Sequence, residues 1–156
     1  MIETDILIIG AGPVGLFTVF EAGLIKLKCH LIDYLPIPGG QCAEIYPKKP
    51  IYDIPGFPSI LAGELIDNLM KQIEPFKPGF TLGERAETIE KTAEGKFIVT
   101  TNRGTKHITS NVAIAGGLGC FEPRKPPIKG IAQFEKKGVV YMIKNPEEFR
   151  DKRLVI

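Results

Sequence analysis

Residues 7–20 read LIIGAGPVGLFTVF, with Gly10, Gly12 and Gly15 set between an aliphatic run and a stretch able to wind into a helix. Glycine loses more conformational freedom on folding than any other residue and offers no side chain to pack. Three in six positions therefore point to a backbone that must turn tightly or be approached closely. The pattern G-x-G-x-x-G, directly after a buried strand and opening a helix, meets that need. Gly10 permits the turn, Gly12 leaves room for a pyrophosphate against the backbone, and Gly15 lets helix and strand pack closely. Free N–H groups and the positive end of the helix dipole then hold the anion without a charged side chain. Asp33 stands 18 positions after Gly15, at the end of the next apolar run. A carboxylate there accepts hydrogen bonds from both ribose hydroxyls of an adenosine and repels a 2′-phosphate. These residues predict a dinucleotide site and leave FAD and NAD undistinguished.

The surrounding pattern predicts an α/β fold. Ile6 to Ile9 is apolar without alternation, as in a strand buried on both faces, and Pro13 to Ala22 carries apolar residues suited to a helix lying on a sheet. Cys29 to Ile32 reads as a second buried strand, so strand, helix and strand make a parallel crossover unit. Residues 34–61, rich in Pro and Gly, read as an ordered irregular connection with Tyr34, Tyr46, Tyr52 and Phe57 as its own packing surface. From Ala62 to Glu74, Leu65, Ile66, Leu69, Met70 and Ile73 recur at amphipathic helical spacing, and Pro75 stops the helix. Thr88–Lys91, Phe97–Thr101 and Lys106–Thr109 are short segments divided by turn residues, a three-stranded β-meander. Val112 to Ala115 reads as a further buried parallel strand, Val139 to Met142 as a strand, and Pro146 to Arg150 as a helical turn.

Charge and cysteine usage narrow the function classes. Lys and Arg exceed Asp and Glu by two in 156 residues, and the basic residues fall in pairs with no interleaved aromatics, so nothing calls for nucleic acid. The N-terminus is acidic where a secretory signal is basic, and no apolar run reaches the ~20 residues of a spanning helix. A cytoplasmic protein is expected. Cys29, Cys42 and Cys120 fit neither a disulfide framework nor a zinc site, and His30 and His107 read as strand residues rather than metal ligands.

Gly10 to Gly15 near the N-terminus, Asp33 and Gly39-Gly40-Gln41 together resemble the FAD domain of the pyridine-nucleotide flavin reductases that include thioredoxin reductase. The meander at 86–109 and Ala113-Ile114-Ala115-Gly116-Gly117 resemble that family's second FAD-region motif. GGQCAEIYPKKPIYDIPGFP at 39–58 and GCFEPRKPP at 119–127 resemble the ferredoxin–NADP reductases of thioredoxin-reductase type. The resemblance implies a Rossmann-like three-layer FAD-binding domain with a parallel sheet and an inserted three-stranded meander. It also implies that Gln41 and Tyr46 line the flavin, Tyr46 stacking on the isoalloxazine, that Ala86 touches the adenine side, that Phe121 lies near the ring, and that Asp33 takes the ribose. Ferredoxin or a similar one-electron carrier, NADP(H) and a homodimer are implied in the same way. Arg124, Lys125 and Lys129 are candidates for steering an acidic carrier.

Cys42 invites a rival reading, since flavin disulfide reductases carry a C-x-x-x-x-C pair at this place. Pro47 occupies the partner position here, so no dithiol exists at the site. Thioredoxin reductase keeps its C-x-x-C in the pyridine-nucleotide domain, so a thioredoxin-disulfide reductase stays open as an alternative, as does a non-catalytic flavin-binding module. In length the chain departs from the family. The reading divides it into an FAD-binding segment at 1–120, a connection at 121–145, and the start of a truncated NADPH domain at 146–156, with Leu154-Val155-Ile156 as that domain's first buried strand. Activity would then belong to a longer parent, and the fragment alone would be inactive.

Overall fold

In the computed structural model, residues 1–120, 125–135, 137–141, 143, 145 and 146–155 are described, the side chain of Pro146 excepted; residues 121–124, 136, 142, 144 and 156 lie outside the description. Phe121, Arg124 and part of the expected strand at 139–142 fall among the latter. The chain divides into two compact units, Met1–Cys120 and Phe121–Ile156.

The first unit is built on one six-stranded sheet of order β5-β2-β1-β8-β7-β6. Its strands are β1 (Ile2–Ile9), β2 (Cys29–Asp33), β5 (Gly79–Leu82), β6 (Ala86–Lys91), β7 (Phe97–Thr101) and β8 (Lys106–Ile114). β1 pairs in parallel with β2 and β8, and β2 with β5, while β6, β7 and β8 pair antiparallel. A two-stranded antiparallel ribbon, β3 (Pro50–Ile51) with β4 (Ile60–Leu61), lies within the 34–61 connection. Helices α1 (Pro13–Leu24) and α3 (Ala62–Ile73) are the long ones, and a short helix α2 (Gly40–Glu44) opens the connection.

The absence of alternation in β1 and β2 has a direct cause: both faces of the sheet are covered. Ile8 and Leu31 pack with Leu16 and Val19 of α1 and with Leu65, Ile66, Leu69 and Ile73 of α3. Their neighbours Leu7 and Ile32 point the other way and pack with Val99 of β7. Because Val99 belongs to the same sheet, the β6–β8 half folds back over that second face. All these side chains are buried, and burying each contributes on the order of 1.5–3 kcal/mol. The amphipathic spacing of α3 thus serves the helix-covered face, and the helix ends at Ile73, where a 3-10 turn containing Pro75 takes over.

Three departures from the sequence reading are structural. The expected meander strand at 106–109 and the expected strand at 112–115 are one strand, β8, antiparallel to β7 at one end and parallel to β1 along its length. No Gly or Pro interrupts Ser110-Asn111, and Thr109 Oγ1 hydrogen-bonds the Asn111 carbonyl at 2.9 Å, carrying the chain through. β5 was not anticipated: Gly79-Phe-Thr-Leu is too short to show periodicity and becomes a strand only by pairing with β2. The packing of residues 34–61 also differs from expectation, since Tyr34, Tyr52 and Phe57 are exposed. That segment is held instead by Cys42, Ala43, Tyr46, Ile51, Ile54 and Ile60 against the α1–α3 core.

The second unit contains 3-10 turns at Ile131–Phe134 and Pro146–Phe149 and an isolated parallel bridge between Glu135 and Val139. Lys125 Nζ pairs with Glu135 at 2.8 Å. The expected buried strand at the end of the chain does not form in its described part: Leu154 and Val155 are exposed and pair with no strand among the described residues.

Candidate functional site

The site grows from the C-terminal end of β1. Gly10 follows it with φ +108°, and a Cβ there would stand 2.3 Å from the Ala115 carbonyl oxygen just beyond β8. Its N–H donates to the Ile32 carbonyl at 2.8 Å, tying the turn to β2. Gly15, in the first turn of α1, is closed off more tightly, since a Cβ would meet the Gly10 carbonyl oxygen at 2.0 Å. Both glycines are demanded by the protein's own packing. Gly12 is different. It caps α1 with φ −75° and ψ −175°, a conformation open to any residue, and a Cβ would meet only Gly40 Cα at 3.9 Å. The protein leaves space at Gly12 that its own fold does not use, at the N-terminus of a twelve-residue helix that has no side-chain cap and begins with Pro13.

A second glycine turn abuts the first. Gly39 (φ +118°) donates its N–H to the Ala11 carbonyl at 2.8 Å, and Gly40 (φ +56°) approaches so closely that a Cβ would lie 3.0 Å from Gly12 Cα. Gln41 follows in α2, and a Cβ at Gly117 would stand 3.7 Å from its Nε2. The structure therefore brings Gly10, Gly12, Gly15, Gln41 and the Ala115–Gly117 segment into one neighbourhood at the carboxyl ends of β1 and β8. This is where open α/β sheets hold their ligands.

Asp33 ends β2. Its Oδ2 accepts the Ala11 N–H at 2.6 Å and its Oδ1 accepts the Leu35 N–H at 2.9 Å. Each oxygen accepts one bond in this way and has a second lone pair to offer. The carboxylate thus locks the glycine loop to β2 and still presents two acceptors. Ala86 opens β6 opposite Thr101 and packs beside Leu7, Ile32 and Val99. Two residues before it, the Glu84 N–H donates to the Asp33 carbonyl at 3.1 Å, so the segment leading to Ala86 is anchored on the end of β2. Phe121 lies outside the described residues.

Tyr46 is partly buried against the α1–α3 core. Burial is the main cause that raises both Tyr46 and Cys42 above their ordinary pKa, with the mutual influence of the two groups behind it, so Cys42 stays a thiol at neutral pH. Lys49 Nζ lies 5.2 Å from the centroid of the Tyr46 ring. The two residues open onto a cavity of about 510 Å³ lined also by Pro13, Cys42, Ile51, Leu65 and Asp53. Its volume is that of a cofactor-sized cleft. All three cysteines are free thiols, and Cys42 has no second sulfur beside it, as the Pro47 position required. Among the described residues no cluster of His, Cys, Asp and Glu is arranged to hold a metal ion. No helix among them is long and apolar enough to cross a membrane.

One polar cluster lies apart from this site and was not foreseen. His30 of β2 and His107 of β8 are both buried, their rings 4.8 Å apart. His30 Nε2 is 2.8 Å and His107 Nε2 3.4 Å from the single hydroxyl of Thr81. His107 Nδ1 is buried without a partner. Burial, then the neighbouring His107, pushes His30 down to about 4, and burial lowers His107 as well. Both are strand residues, as expected.

No protein-family model matches the chain. Over all 156 residues it is 76% identical to ferredoxin–NADP reductase 2 of Christiangramia forsetii, covering 44% of that protein. It is 71% identical to the ferredoxin–NADP reductase of Flavobacterium johnsoniae, covering 45%, and 55% identical to that of Mesorhizobium japonicum, covering 46%. The chain thus spans less than half the length of the curated relatives it matches. Among solved structures, Lactococcus lactis thioredoxin reductase superimposes with a TM-score of 0.68 at 24% identity, over 89% of this chain and 43% of that one. The thioredoxin reductase of T. acidophilum gives 0.67 at 23% identity, over 88% and 42%. These two show a shared fold.

Proposed function

We infer that this chain, placed with the ferredoxin–NADP reductases by sequence identity along its whole length, forms the FAD-binding part of a flavin-dependent oxidoreductase. The parent enzyme passes electrons between ferredoxin, or a similar one-electron carrier, and NADP(H). The observation that carries the reading is the contrast among the three glycines. Gly10 and Gly15 admit no side chain for reasons of packing, while the space above Gly12 is unused by the protein and faces the start of α1. A pyrophosphate fits that space, bound by backbone N–H groups and the helix dipole.

The remaining residues fit the rest of the cofactor. Asp33 offers its two remaining acceptor sites to the adenosine ribose, and Ala86, on the segment tied to Asp33, lies toward the adenine. Gln41 supplies an amide to the flavin heteroatoms. Tyr46 gives the isoalloxazine an aromatic face that excludes water and sets the plane of the ring. When bound, FAD supplies the redox chemistry, exchanging single electrons with a carrier and electron pairs with a nicotinamide. The side chains bind, orient and shield it, and none is required as a nucleophile or general base. A homodimer and a cytoplasmic location go with the same reading.

The test is an FAD titration of the purified chain, followed by the quenching of flavin fluorescence, alongside Gly12→Val. Saturable quenching by the wild type and its loss in the variant are expected. Equal quenching by both proteins would refute the phosphate-loop assignment.

A further inference from the structure

We propose that Lys49 is a positioning residue for the flavin: standing on the Tyr46 ring at the cavity that Tyr46 lines, its cationic head favours the reduced form of the cofactor over the oxidised form. The proposal rests on the flavin reading above and adds a residue to it.

Three observations bear on Lys49. Its Nζ is 5.2 Å from the Tyr46 centroid, within cation–π range. Tyr46 is partly buried against the α1–α3 core, so the ring is held by packing and engaged by Lys49 on its face. Lys49 and Asp53 are the two residues of charged type on a cavity otherwise lined by Pro, Ile, Leu, Tyr and Cys. Both side chains are exposed at the open side of the cavity, so their charges act on whatever fills it at short range and through solvent, in a manner that salt weakens. Reduced flavin carries more negative charge than oxidised flavin near neutral pH, and charge placed near its ring system is a lever on its potential. Lys49 therefore stabilises the reduced form, directly and by polarising the Tyr46 ring. Asp53 on the same wall acts with the opposite sign.

The experiment measures dissociation constants for oxidised FAD and, anaerobically with dithionite as reductant, for reduced FAD, in the wild-type chain and in Lys49→Met, Lys49→Arg and Asp53→Asn. The ratio of the two constants gives the midpoint potential relative to free FAD. Lys49→Met keeps the aliphatic stem and removes the charge. It is expected to hold oxidised FAD as tightly as the wild type and to lose about tenfold in preference for reduced FAD, a shift of about 30 mV for a two-electron couple. Lys49→Arg restores the preference, Asp53→Asn moves it the other way, and the differences shrink as salt is added. An unchanged ratio in Lys49→Met, or equal loss of both redox forms, overturns the proposal while leaving the flavin reading in place. Failure of the wild-type chain to bind FAD in either form overturns the reading and the proposal together.

Discussion

Replacing Gly12 and Gly15 by alanine, one at a time, separates what the glycine loop does for the fold from what it does for the ligand. At Gly15 the added methyl would lie 2.0 Å from the Gly10 carbonyl oxygen and 3.4 Å from Ile8 Cγ2. Neither the carbonyl nor the helix can yield without disturbing the β1–α1 contact, so Gly15→Ala incurs an overpacking cost of about 1–3 kcal/mol. At Gly12 the backbone is already in a region open to L-residues, and the methyl meets only Gly40 Cα at ordinary contact distance. Two small effects oppose each other there. Stiffening the unfolded chain stabilises by about 0.4–1 kcal/mol, and alanine is a poorer N-cap than glycine by a comparable amount. Stability should therefore change by less than about 1 kcal/mol. The methyl nevertheless occupies the space assigned to the pyrophosphate, and loss of one charge-assisted hydrogen bond, about 1.5–3 kcal/mol, would weaken FAD binding at least about tenfold. Urea unfolding and FAD titration on the same preparations check both halves. Gly12→Ala that binds FAD like the wild type would refute the assignment of that space. Unchanged stability in Gly15→Ala would refute the packing argument.

Asp33→Asn should lower FAD affinity by on the order of 1.5–3 kcal/mol, since an amide offers one acceptor oxygen where the carboxylate offers two beyond its bonds to Ala11 and Leu35; flavin retained after dialysis at the wild-type level would count against it. His30 is neutral in the folded chain down to about pH 4, whereas its unfolded form takes up a proton near 6.5, so the unfolded state binds more protons across that window. Stability should be full above about pH 6.5 and fall by about 3 kcal/mol on acidification to pH 4, with His107 acting in the same direction. Urea midpoints that stay flat between pH 7 and pH 5 would show the histidines to be indifferent. Reversing Lys125 and Lys129 in the full-length parent should slow ferredoxin-dependent turnover at low salt and leave reduction of a small dye unaltered. Because Lys125 is paired with Glu135, Lys129 should carry more of the effect, and equal losses with both acceptors would indicate a folding defect.

The features legible in the sequence are those whose cause lies within a few residues. The β1–loop–α1 unit is announced by apolar residues, three glycines and Pro13 in succession, and α3 by a spacing that makes one face apolar however the helix is packed. Asp33 could be placed at the end of β2, beside the glycine loop, because its distance from Gly15 follows from the length of one crossover unit. Other features depend on partners far along the chain. β5 is a strand because β2 lies beside it, and β8 runs unbroken because β7 and β1 claim its two ends. Gly39 and Gly40 have their shape because they meet Ala11 and Gly12 across 28 positions in each pair. His30, Thr81 and His107, each ordinary in its own strand, form a cluster only where the β6–β8 half of the sheet folds over β1 and β2. The cavity beside Tyr46 likewise exists only once Pro13, Cys42, Lys49 and Leu65 converge from four parts of the chain. Turn chemistry and periodicity are written by neighbours in sequence. Pairing register, closure of the sheet's second face and the space left above Gly12 are set by long-range packing, and these only the tertiary structure decides.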